Sequence, residues 1–245
     1  MALDRQSPGQ EGQVRVRFHL RSGPFCPLAQ RVMVALAVCG ASWSNDPTAA
    51  DGEAPTLVVT RPRVPRLVER DHLAMLDLVE AFRPGPNRRP GTLTGPETTR
   101  RIIDLGVSVQ SGLSAVTRAT ESNEHDMAIF RLRDRLQRLE DLLPPDVGVP
   151  GAVLHRHEVV LGPTLWRLRV LDQHCETYLM TGLPRIAAWE RTITGHAAMR
   201  AVFPADAERI YLSTLRRRGA VLLSIADAAT WRLLIGHSGQ LRGAG

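Results

Sequence analysis

The segment Ser22-Gly23-Pro24-Phe25-Cys26-Pro27-Leu28-Ala29-Gln30-Arg31-Val32 stands between two runs of different period. Upstream, Val14 to Leu20 alternates apolar with basic or polar residues, as a strand does; downstream, Ala29, Val32, Met33, Leu36 and Ala37 recur at helical spacing. Cys26 therefore falls at a strand-to-helix turn. Pro27 suits the first helical position, where its missing N–H costs nothing and its fixed φ already matches the helix. The predicted helix runs from Pro27 to Val38, with Gly40 placed to end it. A thiol just before such a helix faces unpaired backbone N–H groups and the positive end of the helix dipole, both of which favour the thiolate. Arg31, about one turn further on, adds positive charge. Cys26 is thus a candidate nucleophile, whereas Cys39 and Cys175 read as small buried hydrophobes.

Composition narrows the class. With 245 residues, 43% of them hydrophobic and 23% charged, the chain can bury one large or two modest cores. No apolar run approaches the ~18 residues of a membrane span, and Met1 to Pro8 lacks the apolar stretch of a signal peptide. A cytoplasmic protein with no membrane partner is expected. Three cysteines, odd in number and widely spaced, make neither a disulfide framework nor a metal site. The net charge is +6, but all 31 basic residues are arginine, a bias that points to the codon usage of a GC-rich bacterial genome. The arginines lie among acids, as in Arg131 to Arg138, which is the look of a solvated helix face. With two tyrosines and five phenylalanines there is little to stack on bases, so no nucleic-acid partner is expected.

In chain order, residues 1–13 read as a disordered lead-in, Ser42 to Pro55 as loop, and Thr56 to Thr60 as a short β-branched strand. Arg63 to Val68 carries Pro65, which confines it to an edge or a turn. Glu69 to His72 reads as a hairpin turn, followed by strand into helix from Leu73 to Phe82. Arg83 to Gly91 holds three prolines and two glycines in nine residues and marks a linker, placed at 84–95, between a unit at 14–83 and a helical one at 96–220. The helical unit begins with a long helix from Pro96 to about Arg118 and another from Met127 to Leu143, stopped by Pro144-Pro145. Ala205 to Arg218 is a last helix, and residues 221–245 form a tail that is apolar as far as Ile235.

Four segments carry a likeness. Cys26-Pro27-Leu28-Ala29-Gln30-Arg31 resembles the Cys-Pro-Phe-x-Gln-Arg of the cysteine-type cytosolic glutathione transferases: the omega and lambda classes, the dehydroascorbate reductases, and the related chloride intracellular channel proteins. Val64-Pro65-Arg66-Leu67 is similar to that family's Val-Pro-x-Leu, whose proline is cis and whose preceding residue pairs with the cysteinyl unit of glutathione. Leu154 to Leu168 is similar to its Ser-x-x-Asp…Pro helix, with His155 in place of Ser and Glu158 in place of Asp, and Pro184 to Trp189 resembles the helix that follows. His155, His157 and Glu158 read as parts of that cap rather than as metal ligands, since the spacing lacks a third well-placed ligand.

The resemblance, spanning about Val14 to Arg218, implies an α/β thioredoxin-like N-terminal domain plus an all-α C-terminal domain. It implies glutathione as co-substrate, held by Phe25, Pro27, Val64 and Pro65, and Cys26 as the catalytic thiol acting through a mixed disulfide or a thioether. It places a small-molecule electrophile between the domains against Arg101, Leu105, Ser108 and Trp166, and it implies a homodimer. The sequence departs from the family at the Glu-Ser pair that holds the γ-glutamyl end of glutathione. Ala74-Met75, Met75-Leu76 or Leu76-Asp77 stands there, and Asp77 is the nearest polar group. A buried ligand charge without partners is costly. The departure keeps open a glutathione-independent protein of the same fold, either a tailoring isomerase or cyclase of bacterial secondary metabolism or a non-catalytic dimeric binding module.

Overall fold

A computed structural model describes residues 16–23, 25–49, 53–81, 95–145 and 154–226. The lead-in at 1–13, nearly all of the linker and the tail beyond residue 226 lie outside the described residues.

Strand β1 (Arg17–Arg21) turns Phe18 and Leu20 into the core and leaves Arg17, His19 and Arg21 exposed, as its alternation dictates. Helix α1 (Pro27–Val38) follows, starting at Pro27 and turning off at Gly40, which takes a left-handed φ of +61°. Strand β2 (Trp43–Asp46) returns parallel to β1, while β3 (Thr56–Arg61) pairs with β1 and β4 (Val64–Glu69) with β3, both antiparallel. The sheet order is β2-β1-β3-β4. Helix α2 (His72–Ala81) packs against α1.

The remainder is helical: α3 (Pro96–Arg118), α4 (Ser122–Leu142), α5 (Arg156–Cys175), α6 (Pro184–Thr194), α7 (Ala197–Val202) and α8 (Ala207–Arg217). The tail begins with one helical turn, over residues 221–226, that the backbone N–H of Val221 ties to the carbonyl of Ala119 at 3.0 Å. A thioredoxin-like unit followed by an all-α bundle is the architecture of glutathione transferases, the fold class that the resemblance implies. No described helix is long and apolar enough to cross a membrane.

Two local expectations give way. Within the expected loop at 42–55, Trp43–Asp46 is a strand. Its polar Ser44, Asn45 and Asp46 give no strand signal of their own, and pairing with β1 decides the conformation. The hairpin turn is not at Glu69 to His72 but at Pro62-Arg63, where Arg63 takes φ +61°. Residues 69–72 instead end a strand and start a helix: Asp71 Oδ1 accepts from the N–H groups of Leu73 at 3.0 Å and Ala74 at 2.8 Å, capping α2. Leu73 is therefore helical from the outset.

Helix α5 runs through the middle of the bundle, and most of its side chains from His157 to Leu171 are buried. Gly106 lets α3 lie close against it, since a Cβ there would sit 2.7 Å from Leu161 Cγ. At the α5 start, Glu158 Oε2 accepts the His155 N–H at 2.7 Å, and its Oε1 accepts from Trp189 Nε1 at 3.2 Å. The acid of the expected cap thus reaches back as its position implies, and it also fixes the buried Trp189. His157 is buried between the rings of His155, at 5.7 Å, and Trp189, at 5.6 Å.

Burial, helped by the neighbouring His155 and opposed by Glu158, pushes the His157 imidazole down to about 4 from an ordinary 6.5. Between those two values the unfolded chain binds a proton that the folded chain refuses, so stability falls as pH drops through that window. Urea midpoints at pH 7 and pH 4.5 should show His157→Gln sparing about 2 to 3 kcal/mol of the wild-type loss. Equal losses in the two proteins would show that His157 is not held neutral.

Candidate active site

Cys26 occupies the N-cap of α1, with extended φ −61° and ψ 116°; its carbonyl accepts the Gln30 N–H at 3.0 Å and its side chain makes no capping bond. It is half-buried. The residue before it, Phe25, takes φ +58°, a left-handed conformation that costs a bulky residue about 1 to 3 kcal/mol and persists only where the surroundings impose it.

Arg167, from the middle of α5, imposes it. One Nη2 hydrogen bond reaches the Phe25 carbonyl at 2.8 Å, a second goes to Gln30 Oε1, and Nη1 donates to the Pro163 carbonyl at 2.7 Å. The guanidinium carbon lies 5.5 Å from the Tyr211 ring and 5.9 Å from the Trp166 ring. The helical domain thus holds the cysteine turn of the α/β domain through one fully buried cation. Burial lowers the Arg167 pKa, against the opposing fields of Tyr211 and Cys26. Burial also pushes the Tyr211 phenol up to about 12, so it stays neutral and supplies no countercharge.

A second guanidinium, that of Arg31, shares the cavity with Cys26. Arg31 has no exposed surface, and its Nη1 stands 2.9 Å from His72 Nε2. Arginine can only donate, so His72 accepts there and carries its proton on Nδ1. Burial, with the Arg31 charge, keeps His72 below the usual histidine range against the pull of Asp71. Nε and Nη2 of Arg31 meet no acceptor among the described residues. Burial and then Arg167 lower Arg31 to about 10, with the field of Cys26 opposing both. None of the ion pairs among the described residues includes Arg31 or Arg167.

Above them opens a cavity of about 480 Å³ between the two domains. Phe25, Cys26, Pro27, Arg31 and His72 line it from the α/β side, together with Pro55 just before β3. Val107, Gln110, Ser111, Ser114 and Arg118 face them from α3, and Arg218 stands beyond the end of α8. Cys26 therefore has space in front of it into which a small molecule fits.

The structure sorts the residues singled out in the sequence. Phe25 and Pro27 lie beside Cys26. Val64 and Pro65 do not: they sit on β4, the outer strand, with Val64 43% exposed, and the proline pair on the cavity is Ala54-Pro55. No described peptide bond is cis. Asp77 points outward and pairs with Arg156 at 2.6 Å, tying α2 to the start of α5. Arg101 and Leu105 line a separate hollow with Arg138 and Asp141, and the Ser108 carbonyl accepts from Arg135 Nη1 at 2.9 Å. The α3 face on the Cys26 cavity is turned by roughly a third of a turn from theirs. Trp166 is 4% exposed and stacks on Phe203 at 4.3 Å, facing a different hollow on the bundle.

Gln30 stands in the quoted motif with no role given to it, and His72 and Arg167 carry no functional expectation from the sequence. Arg167 had a signal: an arginine set in a helix that is apolar on almost every side must find buried acceptors.

No family model matches the chain, and no curated protein matches its sequence. Solved structures do match its fold. Glutathione transferase Omega 1C from Trametes versicolor is 19% identical with a TM-score of 0.64, over 84% of this chain and 98% of that one. Omega 2S from the same organism, solved with 2,4-dihydroxybenzophenone, is 16% identical with a TM-score of 0.63, over 82% and 96%. Maleylacetoacetate isomerase from Anaeromyxobacter dehalogenans 2CP-1 is 20% identical with a TM-score of 0.58, over 80% and 98%. The chain has the fold of these glutathione transferases.

Replacing Arg167 by methionine keeps much of the buried volume but leaves the Phe25 carbonyl and Gln30 Oε1 without their donor. Amide hydrogen exchange over residues 25–31 should speed up about tenfold or more, the equivalent of ~1.4 kcal/mol of local stability. Unchanged exchange there would show that Arg167 does not hold the turn.

Proposed function

We propose that this chain is a cysteine-dependent enzyme of the glutathione transferase kind, acting on an electrophilic small molecule in the cavity beside Cys26. The observation that carries this is the seat of Cys26: a thiol at a helix start, with no side-chain capping bond, on the wall of a cavity between two domains. In this reading the Cys26 thiolate attacks the glutathione sulfur of a mixed disulfide. The S–S bond breaks, the other thiolate leaves and takes a proton from solvent, and a further glutathione resolves the enzyme adduct to glutathione disulfide. The bacterial isomerase of the same fold has been solved with glutathione bound in its active site. In this reading Ala54-Pro55, which lines the cavity, takes the part of the family's Val-Pro pair toward that co-substrate. A homodimer would cover apolar side chains that α4 leaves in solvent, Met127 at 52% and Phe130 at 72% exposure.

A second reading, a glutathione-independent isomerase or cyclase, has its own observation. The resembled family holds the γ-glutamyl end at the start of the helix after the last strand. Here Asp71 already takes the N–H groups of Leu73 and Ala74, His72 is bonded to Arg31, and Asp77 to Arg156. A ligand carboxylate at that point would meet an acid rather than open donors.

Calorimetry with reduced glutathione, and mass analysis after glutathione disulfide, on wild type and Cys26→Ala, separate the two. The first reading expects millimolar or tighter binding and one glutathionyl adduct that needs Cys26. No binding and no adduct would overturn it and leave the second.

A further inference from the structure

Among the described residues, the lining of the cavity beside Cys26 holds three arginines and one carboxylate. The arginines are Arg31, Arg118 and Arg218, and the carboxylate, Glu53, lies 4.0 Å from Arg21. Arg31 is the decisive group, because it is wholly buried, its Nε and Nη2 meet no acceptor among the described residues, and its Nη1 has only a neutral imidazole. A desolvated guanidinium in that state calls for an anion. Exposed arginines at a rim are satisfied by water; an orphaned one at the inner wall is not.

The rest of the lining limits the anion. Gln110 is held by Thr164 at 2.8 Å and by Ser114 at 3.2 Å, so it orients the α3 wall, while Ser111 and Ser114 offer hydroxyls. Phe25, Pro55 and Val107 offer apolar contact. A volume of about 480 Å³ suits a small molecule.

We propose that the molecule Cys26 meets is a small carboxylate-bearing electrophile, its carboxylate drawn to Arg31 from a mouth flanked by Arg118 and Arg218 and its reacting atom, a disulfide sulfur under the first reading or a carbon under the second, turned to the thiol. The inference rests on the cavity being the active site, and it names the substrate class under either reading above.

Iodoacetate and iodoacetamide test it, since they differ only in carboxylate against amide. In both, the Cys26 sulfur bonds to the methylene carbon as iodide leaves, and the thiol proton goes to buffer. Free N-acetylcysteine in the same solution serves as the reference thiol. The rate ratio of iodoacetate to iodoacetamide at Cys26 should exceed the reference ratio at least tenfold, shrink in Arg118→Gln, and vanish in Arg31→Met. A ratio equal to the reference would overturn the proposal.

A second measurement does not need the thiol. At matched ionic strength, succinate should raise the thermal midpoint of both wild type and Cys26→Ala, where neutral succinamide does not. No shift, or an equal shift from added chloride, would overturn the anion site. Should Cys26 react with neither reagent while succinate still stabilises Cys26→Ala, the cysteine chemistry fails and the anion site stands.

Discussion

The hydrogen bonds of Arg167 are the constraint on which the site depends. A cation from the centre of α5 holds the Phe25 carbonyl and the Gln30 amide, and with them a strained turn and the first turn of α1. Neither domain alone supplies this arrangement, because the acceptors belong to one and the donor to the other. Burial of such a cation without a carboxylate is costly, and three hydrogen bonds with two aromatic faces offset it. The position of Cys26 thus follows from the packing of the helical bundle as much as from its own segment.

Arg31 continues the same theme one layer nearer the cavity. Its bond to His72 joins α1 to α2 and sets the histidine tautomer, while its Nε and Nη2 meet no acceptor among the described residues. The two guanidiniums, the neutral phenol of Tyr211 and the neutral His72 make the base of the cavity positive, and no ion pair among the described residues joins a carboxylate to either guanidinium. A field of that kind acts on whatever charged group enters, and the low polarizability of the surroundings strengthens it.

Much of this architecture was legible in the chain because the signals are local. Pro27, the apolar period from Ala29 to Ala37 and Gly40 fix α1 without reference to any other element. Strand β2 was not legible, because Ser44, Asn45 and Asp46 become a strand only by pairing with β1. Val64-Pro65 looked like the motif proline, but the strand pairing puts it one hairpin further out, and Ala54-Pro55 takes the inner place. On α3 the sequence shows a period but not the rotation of the helix about its axis, so Arg101, Leu105 and Ser108 were as eligible as Val107, Gln110 and Ser114. The Arg167 acceptor at Phe25 is 142 residues away along the chain, and nothing local announces it.

The close approach of α3 to α5 at Gly106 has a consequence for the cleft itself. Helix α3 carries one wall of the cavity, and α5, through Arg167, anchors the other. The gap between the walls is therefore gauged at a point inside the bundle, where a single absent methyl lets Leu161 settle against bare backbone. A bulkier residue at that point acts as a shim: it alters the width available to a bound molecule without touching any side chain that the molecule meets.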